Sequence, residues 1–303
     1  MTGDAFLHTF QLLINMQHFH TGIGRVLLGP VERMRLLTQT QQAVYGGNKP
    51  RFYSFREIAI VAKEVSKTQG FASFWRGLGA GILGGWLGTI VTDYIDQKCN
   101  KALRRKRIGK YSLTQKICQT VIYSVTNSFG QLIFYPLEFI SVKMGADVGK
   151  TFLEREFRGF NDCVMRMYRE GGMRIFFTGF TMKLYFNCLF PLLALGLYEF
   201  YTRTYLNPDS WYVTRFLVAE STFVLSYIAT YPLLVIKNNL IVETGSKTWW
   251  RSLWSDHNAK DTMRRIVKEA GIRAIFAGLG IDIVCGLVGG QFVLFYDLRN
   301  RSI

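Results

Sequence analysis

Apolar residues run in long blocks along this chain, near positions 8–37, 78–97, 112–142, 180–201, 211–242 and 275–298. Each block can reach the ~20 residues that carry a helix across a bilayer. The polar segments between them alternate in kind. After the first, third and fifth blocks come long polar stretches, 39–53, 151–160 and 244–260, each followed by a short amphipathic stretch, 55–68, 160–170 or 261–269. In the first of these, Ile58, Val61, Ala62 and Val65 recur at helical spacing, which predicts a helix lying on the membrane surface. The other connections are short, 99–111 and 205–210, the latter with Asn207-Pro208 as a turn signal. Arg25, Asn127, Lys183, Asn187 and Glu220 interrupt the apolar blocks. That suits helices with one face on lipid and another on a wet cavity. A soluble all-α protein is the weaker reading.

The block pattern repeats three times. Pro30-Val31-Glu32-Arg33-Met34-Arg35, Pro136-Leu137-Glu138-Phe139-Ile140-Ser141 and Pro232-Leu233-Leu234-Val235-Ile236-Lys237 fall near the ends of alternate blocks, their prolines 106 and 96 residues apart. A second mark follows 36 to 40 residues later: Gly70 with Trp75-Arg76-Gly77, Gly172 with Phe177-Thr178-Gly179, Gly271 with Phe276-Ala277-Gly278. The two glycines of each mark are seven apart. A repeat of about 100 residues sets the architecture. One domain, 1–303, is expected from units of approximately 1–104, 105–206 and 207–303. It is an all-α membrane protein with six transmembrane helices in three pseudosymmetric repeats and short surface helices. Each proline is expected to bend its helix.

Charge refines this picture. The net charge of +16 suits contact with anionic headgroups. Lys98, Lys101, Arg104, Arg105, Lys106, Arg107, Lys110 and Lys116 form a run without an acid, lying between two apolar blocks. It reads as a membrane-surface loop, because no aromatic residues alternate with its charges as a base-stacking surface requires. Nucleic acid is therefore not an expected partner. The three long loops hold 18 Lys and Arg against 11 on the opposite side. The positive-inside rule then puts the long loops inside and both termini on the other side.

Little in the chain suggests chemistry. The five cysteines make no CxxC pair, and His18 and His20 point to different sides of a helix, so no metal site is expected. The N-terminus lacks a basic leader with a small-residue cleavage site, so import is expected to use internal information. Gly79-Ala80-Gly81-Ile82-Leu83-Gly84 matches a dinucleotide fingerprint but lies inside an apolar helical block rather than between strand and helix. Glycines there are expected to allow close helix packing. No catalytic constellation is present, and the chain is not expected to be an enzyme.

The threefold Pro-x-acid-x-x-base with aromatic-x-Gly resembles the mitochondrial carrier family over nearly the whole chain. Within the family the likeness is strongest to carriers that exchange ADP for ATP. It rests on Pro30-Val31-Glu32-Arg33-Met34-Arg35-Leu36-Leu37-Thr38-Gln39, Tyr135-Pro136-Leu137-Glu138, Ala146-Asp147-Val148-Gly149-Lys150, Glu156-Phe157-Arg158-Gly159 and Phe292-Val293-Leu294-Phe295-Tyr296-Asp297. The resemblance implies a six-helix bundle in the inner mitochondrial membrane, with both termini toward the intermembrane space and alternating access. It also implies cardiolipin as a bound lipid near Gly70, Trp75, Gly77, Gly172, Gly179, Gly271 and Gly278, and no other cofactor.

The resemblance further implies two gates of ion pairs around a midplane site. At the matrix gate Glu138 should meet Lys237. Glu32 faces Ser141 and Arg35 faces Leu234, so both are expected to lack their family partners and to turn to water, to Lys143 or to each other. At the opposite gate the acids Asp96, Glu199 and Asp297 are present, but Cys99, Thr202 and Asn300 stand where bases belong, with Lys98, Arg203 and Arg301 one position away. Arg25 matches a phosphate-binding position, whereas Gly84 and Cys285 replace cations. Lys237-Asn238-Asn239-Leu240-Ile241-Val242 replaces a run of arginines and methionines. The leading expectation is a carrier that has lost nucleotide exchange and serves as a structural subunit of a larger inner-membrane complex, plausibly respiratory. The alternative is an active transporter of a smaller or less charged solute, with Arg25, Lys183 and Asn187 as cavity contacts.

Overall fold

The computed structural model describes residues 26–45, 55–104, 113–148, 155–205, 211–244 and 256–287. These residues hold helices and no strand. In chain order they are α1 (Gly29–Gln39), α2 (Gln41–Tyr45), α3 (Phe55–Gln69), α4 (Leu78–Arg104), α5 (Leu113–Ala146), α6 (Phe160–Gly171), α7 (Phe180–Tyr205), α8 (Tyr212–Glu243), α9 (Asp256–Ala270) and α10 (279–287). Pro30 sits in the first turn of α1, where its missing N–H leaves nothing unpaired. Pro136 and Pro232 instead lie inside α5 and α8, which continue helical for ten and eleven residues beyond them. The outer parts of the first and last apolar blocks fall outside the described residues.

The stretches Phe71–Cys99, Phe160–Thr202 and Phe216–Glu243 each contain a segment long and apolar enough to cross a membrane. Ala259–Ala270 and Ile272–Leu287, bent by 117°, make a fourth if counted as one span. α5 is 34 residues long, or about 51 Å at 1.5 Å per residue, so it too has the length. Its hydropathy is diluted by Gln119, Thr120, Ser124, Asn127 and Ser128, all buried in the bundle.

The six glycines of the repeated mark share one backbone conformation. Gly70, Gly77, Gly172, Gly179, Gly271 and Gly278 all have φ between 64 and 84°. A side chain strains that conformation. The first glycine of each mark ends a surface helix, and a single 3-10 turn then leads to the second. The second glycine packs on backbone of the next unit. A Cβ on Gly77 would lie 2.5 Å from the Ser141 carbonyl oxygen, one on Gly179 would lie 3.2 Å from that of Lys237, and one on Gly278 would lie 3.3 Å from that of Arg35. Ser141, Lys237 and Arg35 occupy the same signature position in successive units, so the three contacts close a threefold ring.

Tyrosines reinforce two of these joints. Tyr135 and Tyr231, both fully buried, donate their hydroxyls to the carbonyls of Thr178 and Ala277 at 2.9 Å, within the aromatic-x-Gly marks. In the first unit Gly29 precedes the proline, and Trp75 takes the space: its Nε1 donates to the Val26 carbonyl at 2.7 Å and would meet a Cβ on Gly29 at 2.7 Å. Beneath this ring the core continues through Phe139, Phe157, Met167 and Ile175.

The long helices then pack both between successive units and within one. α4 lies along α5, α7 along α8, α5 meets α7, and α1 touches α5 and α8. Small residues bring α4 and α5 together: a Cβ on Gly130 would meet Thr92 Oγ1 at 2.4 Å and the Gly88 carbonyl at 2.8 Å. The Gly79–Gly84 run is thus part of a packed transmembrane helix, with no βαβ unit around it among the described residues.

Candidate functional site

A cavity of about 270 Å³ opens between the long helices. Its wall carries four acids, Glu32, Glu138, Glu220 and Asp282, and three bases, Arg35, Lys183 and Lys237. The remainder is mostly aromatic, amide and glycine: Tyr123, Phe134, Phe186, Phe190, Phe223, Tyr227, Asn127, Gln131, Asn238, Gly81, Gly84 and Gly286.

At the signature end, the expected pair between Glu138 and Lys237 is present, with Nζ and Oε1 2.5 Å apart, joining α5 to α8. Lys183 of α7 reaches the same Glu138 oxygen at 3.5 Å. One carboxylate therefore gathers two lysines from two other helices. Arg35 departs from expectation. Leu234 offers it no charge, yet Arg35 is paired: its Nη1 lies 2.7 Å from Asp282 Oδ1 on α10. Tyr227 of α8 donates its hydroxyl to the other oxygen, Asp282 Oδ2, at 3.1 Å. Asp282 thus links α1, α8 and α10 at the seam where the third unit meets the first. The Lys143 ammonium donates to the Val242 and Thr244 carbonyls at 2.7 and 2.6 Å, capping the end of α8. Glu32 stands on the cavity wall one turn from Arg35.

Below these pairs, amides tie the same seam. Gln39 Nε2 donates to the Tyr231 hydroxyl at 2.7 Å, and Asn238 Nδ2 donates to Gln39 Oε1 at 2.6 Å. Asn239 Nδ2 reaches the Gln39 carbonyl at 2.9 Å. The segment that replaces the arginine and methionine run therefore acts as an interhelical lock.

Gly84 lines the cavity but also carries the α4–α5 contact. A Cβ there would stand 2.9 Å from Leu137 Cβ and 3.3 Å from the Phe134 carbonyl oxygen. A long cation at this position would force the helices apart. Cys285 lies on α10 one turn beyond Asp282. Asn187, expected to face the cavity, is turned away from it: it is buried and donates to Gln131 Oε1 at 3.2 Å and to Ser128 Oγ at 3.5 Å on α5. Arg25 lies outside the described residues.

At the opposite mouth Glu199 is ion-paired with Lys116 of α5, within its own unit. The expected bases lay three residues after each acid on the same helix, so Lys116 of α5, which ends the basic run, was not among them. Thr202 donates its hydroxyl back to the Tyr198 carbonyl at 2.6 Å. Lys98 sits 4.5 Å from the Tyr94 ring centre on its own helix, on an exposed face. Asp96 is half-buried on α4. Asp297, Asn300 and Arg301, and the side chain of Arg203, lie outside what the structure describes.

Outside the membrane, Asp147 organises the second unit's long loop. It accepts Arg76 Nη2 at 2.6 Å and the backbone N–H groups of Glu156 and Phe157, each at 3.1 Å. Arg33, buried, spans the same region through the carbonyls of Gly145 and Asp147, each at 3.2 Å, and the side chain of Gln69 at 3.0 Å. No family signature marked this network beyond the Ala146–Lys150 and Glu156–Gly159 strings.

Sequence comparison agrees with this architecture. The family model described as "Mitochondrial carrier protein" matches three times, at residues 19–107, 117–209 and 208–301. The chain is 26% identical to ADP/ATP translocase 2 of Bos taurus over 286 residues, covering 91% of each protein. It is 26% identical to ADP/ATP translocase 3 of Homo sapiens over 297 residues, covering 93% of each. It is 26% identical to the ADP,ATP carrier protein of Parachlorella kessleri over 295 residues, covering 93% of this chain and 81% of the other. These are distant relationships spread over nearly the full length. With three unit-length matches on a threefold helical body, the chain belongs to the mitochondrial carrier family, whose members are multi-pass transport proteins of the mitochondrial inner membrane.

Proposed function

We propose that this protein is an ADP/ATP carrier-like transporter that does not exchange adenine nucleotides and moves a smaller, less anionic solute through the central cavity. The observation that carries this reading is the charge of the cavity wall. Four acids stand against three bases, and each base has an acid partner within 3.5 Å. A nucleotide with three to four negative charges needs cationic clamps on its phosphates. Here the position of one clamp is closed by helix packing at Gly84. Arg35 and Asp282 replace a missing pair at the signature end, adding a tie between the first and third units to those that Glu138 makes with Lys183 and Lys237. A protein kept only for its outer surface has no need of a charged, polar cavity, since desolvated charges are expensive to keep. The test is exchange in proteoliposomes: no ADP/ATP exchange above protein-free background is expected, and saturable exchange would overturn the reading.

A second reading, a structural subunit of a larger inner-membrane complex, draws on the opposite mouth. Glu199 is ion-paired with Lys116 inside one unit, and Lys98 rests on Tyr94 of its own helix. On this reading the chain migrates with a much larger assembly in mild detergent. Migration only as a free 34.8 kDa monomer would count against it. Under either reading cardiolipin is proposed at the surface-helix ends near Gly70, Gly172 and Gly271, with no further cofactor. The termini are proposed to face the intermembrane space on the strength of the loop charges.

A further inference from the structure

On the reading that the central cavity holds a solute, we propose that the solute is a small organic cation carrying an ammonium or guanidinium group. Two adjacent helices present matching stripes to the cavity: Lys183, Phe186 and Phe190 on α7, and Glu220, Phe223 and Tyr227 on α8. Both run at i, i+3 and i+7, which puts each set on one helix face. The four rings form one wall. Phe190 meets Phe223 at 5.2 Å between centres, Phe186 meets Tyr227 at 6.1 Å, and Phe223 stacks on Tyr227 at 6.1 Å. Aromatic faces attract cations, the more so when water is excluded. Acids flank this wall at both ends, Glu220 on α8 and Asp282 at the Tyr227 hydroxyl.

Arg35 already shows that a guanidinium fits against Asp282. A solute guanidinium competing for Asp282 would release Arg35 and untie α1 from α10. Binding and opening of the signature end would then be one event.

The test uses the full-length protein purified in mild detergent, with agmatine and choline as cation probes and ADP and citrate as anion controls. Thermal unfolding and calorimetric titration read out binding. A saturable upward shift of the unfolding midpoint with agmatine, absent with ADP and citrate, is expected. Glu220→Gln and Asp282→Asn should each weaken agmatine at least tenfold, and Phe190→Leu several-fold. Should Asp282→Asn fail to fold, Glu220→Gln and Phe190→Leu carry the test alone. Absence of saturable binding by either cation, or equal binding by the Glu220 and Phe190 variants, overturns the proposal. An aromatic wall that only packs helices would give that result. Failure here is distinct from failure of the transport reading, which nucleotide exchange in proteoliposomes decides independently.

Discussion

Arg35 and Asp282 are 247 positions apart in sequence and 2.7 Å apart in the folded chain. Their pair ties the first unit to the third. Arg35 keeps about a quarter of its side chain exposed to the cavity, whereas Asp282 keeps 9%. Removing the acid leaves a guanidinium that water partly reaches. Asp282→Asn is therefore expected to destabilise by about 1.5–3 kcal/mol, the range for a hydrogen bond to a charged group. Thermal unfolding of Asp282→Asn, Arg35→Gln and the double variant checks this. The double variant should be no less stable than the worse single one; strictly additive losses would show that the two side chains act separately.

The position of Gly84 sets a limit on restoring a nucleotide site. Since its Cβ would stand 2.9 Å from Leu137 Cβ, Gly84→Ala should already cost about 1–3 kcal/mol through overpacking. Gly84→Arg should reduce the yield of folded protein without conferring ADP exchange. Folded Gly84→Arg protein that binds ADP saturably would show that the α4–α5 contact yields easily and that only the charge was missing.

The threefold plan was legible because its signals are local. A glycine at positive φ is a demand of a single residue, and its repetition in three marks at a spacing of seven amplified it. Repeat symmetry also brought Glu138 to Lys237. Symmetry is what hid Asp282. It sits outside the signature positions, so a reading that paired equivalent residues left Arg35 without a partner. Lys116 was missed for the same reason, as a base on α5 answering an acid on α7. Asn187 was misassigned because a polar residue in an apolar block has two outlets, the cavity or a neighbouring helix, and periodicity does not choose between them. Here Gln131 and Ser128 of α5 do.

Tyr135 and Tyr231 offer a matched comparison. Both donate to a carbonyl at 2.9 Å, but Tyr231 also accepts from Gln39, which in turn accepts from Asn238. Tyr135→Phe orphans one acceptor. Tyr231→Phe orphans an acceptor and a buried donor. Each unsatisfied buried group costs about 1–3 kcal/mol, so Tyr231→Phe should lower the unfolding midpoint further than Tyr135→Phe. Equal shifts would mean that the Gln39–Asn238 chain re-forms without the hydroxyl.

Asp147 accepts Arg76 and two backbone N–H groups. The facing side chains are 5% and 8% exposed, so the pair is desolvated. Breaking a buried pair by removing one partner typically costs about 3–5 kcal/mol. Asp147→Ala should approach that loss and should also expose the 155–159 segment to limited proteolysis. Resistance equal to the parent protein would show that Arg33 and the surrounding core hold the segment without it.

Cys163 lies on α6, outside the membrane, and is fully buried. Burial pushes its thiol from an ordinary 9.0 up to about 12, against the pull of nearby Lys143. Only the thiolate alkylates. At pH 8 the folded protein should therefore modify Cys163 about a thousandfold more slowly than an ordinary thiol, and peptide mapping after iodoacetamide treatment measures this directly. The same shift has a consequence for stability. Above pH 9 the unfolded chain releases the thiol proton while the folded chain keeps it, so the unfolded state binds fewer protons and stability falls as pH rises. The slope from this group can reach about 1.4 kcal/mol per pH unit until the folded value near 12 is passed. Cys163→Ala removes the titrating group and should flatten the alkaline fall relative to the parent. Parallel curves for the two proteins between pH 9 and 11 would show that the thiol ionises freely in the folded state.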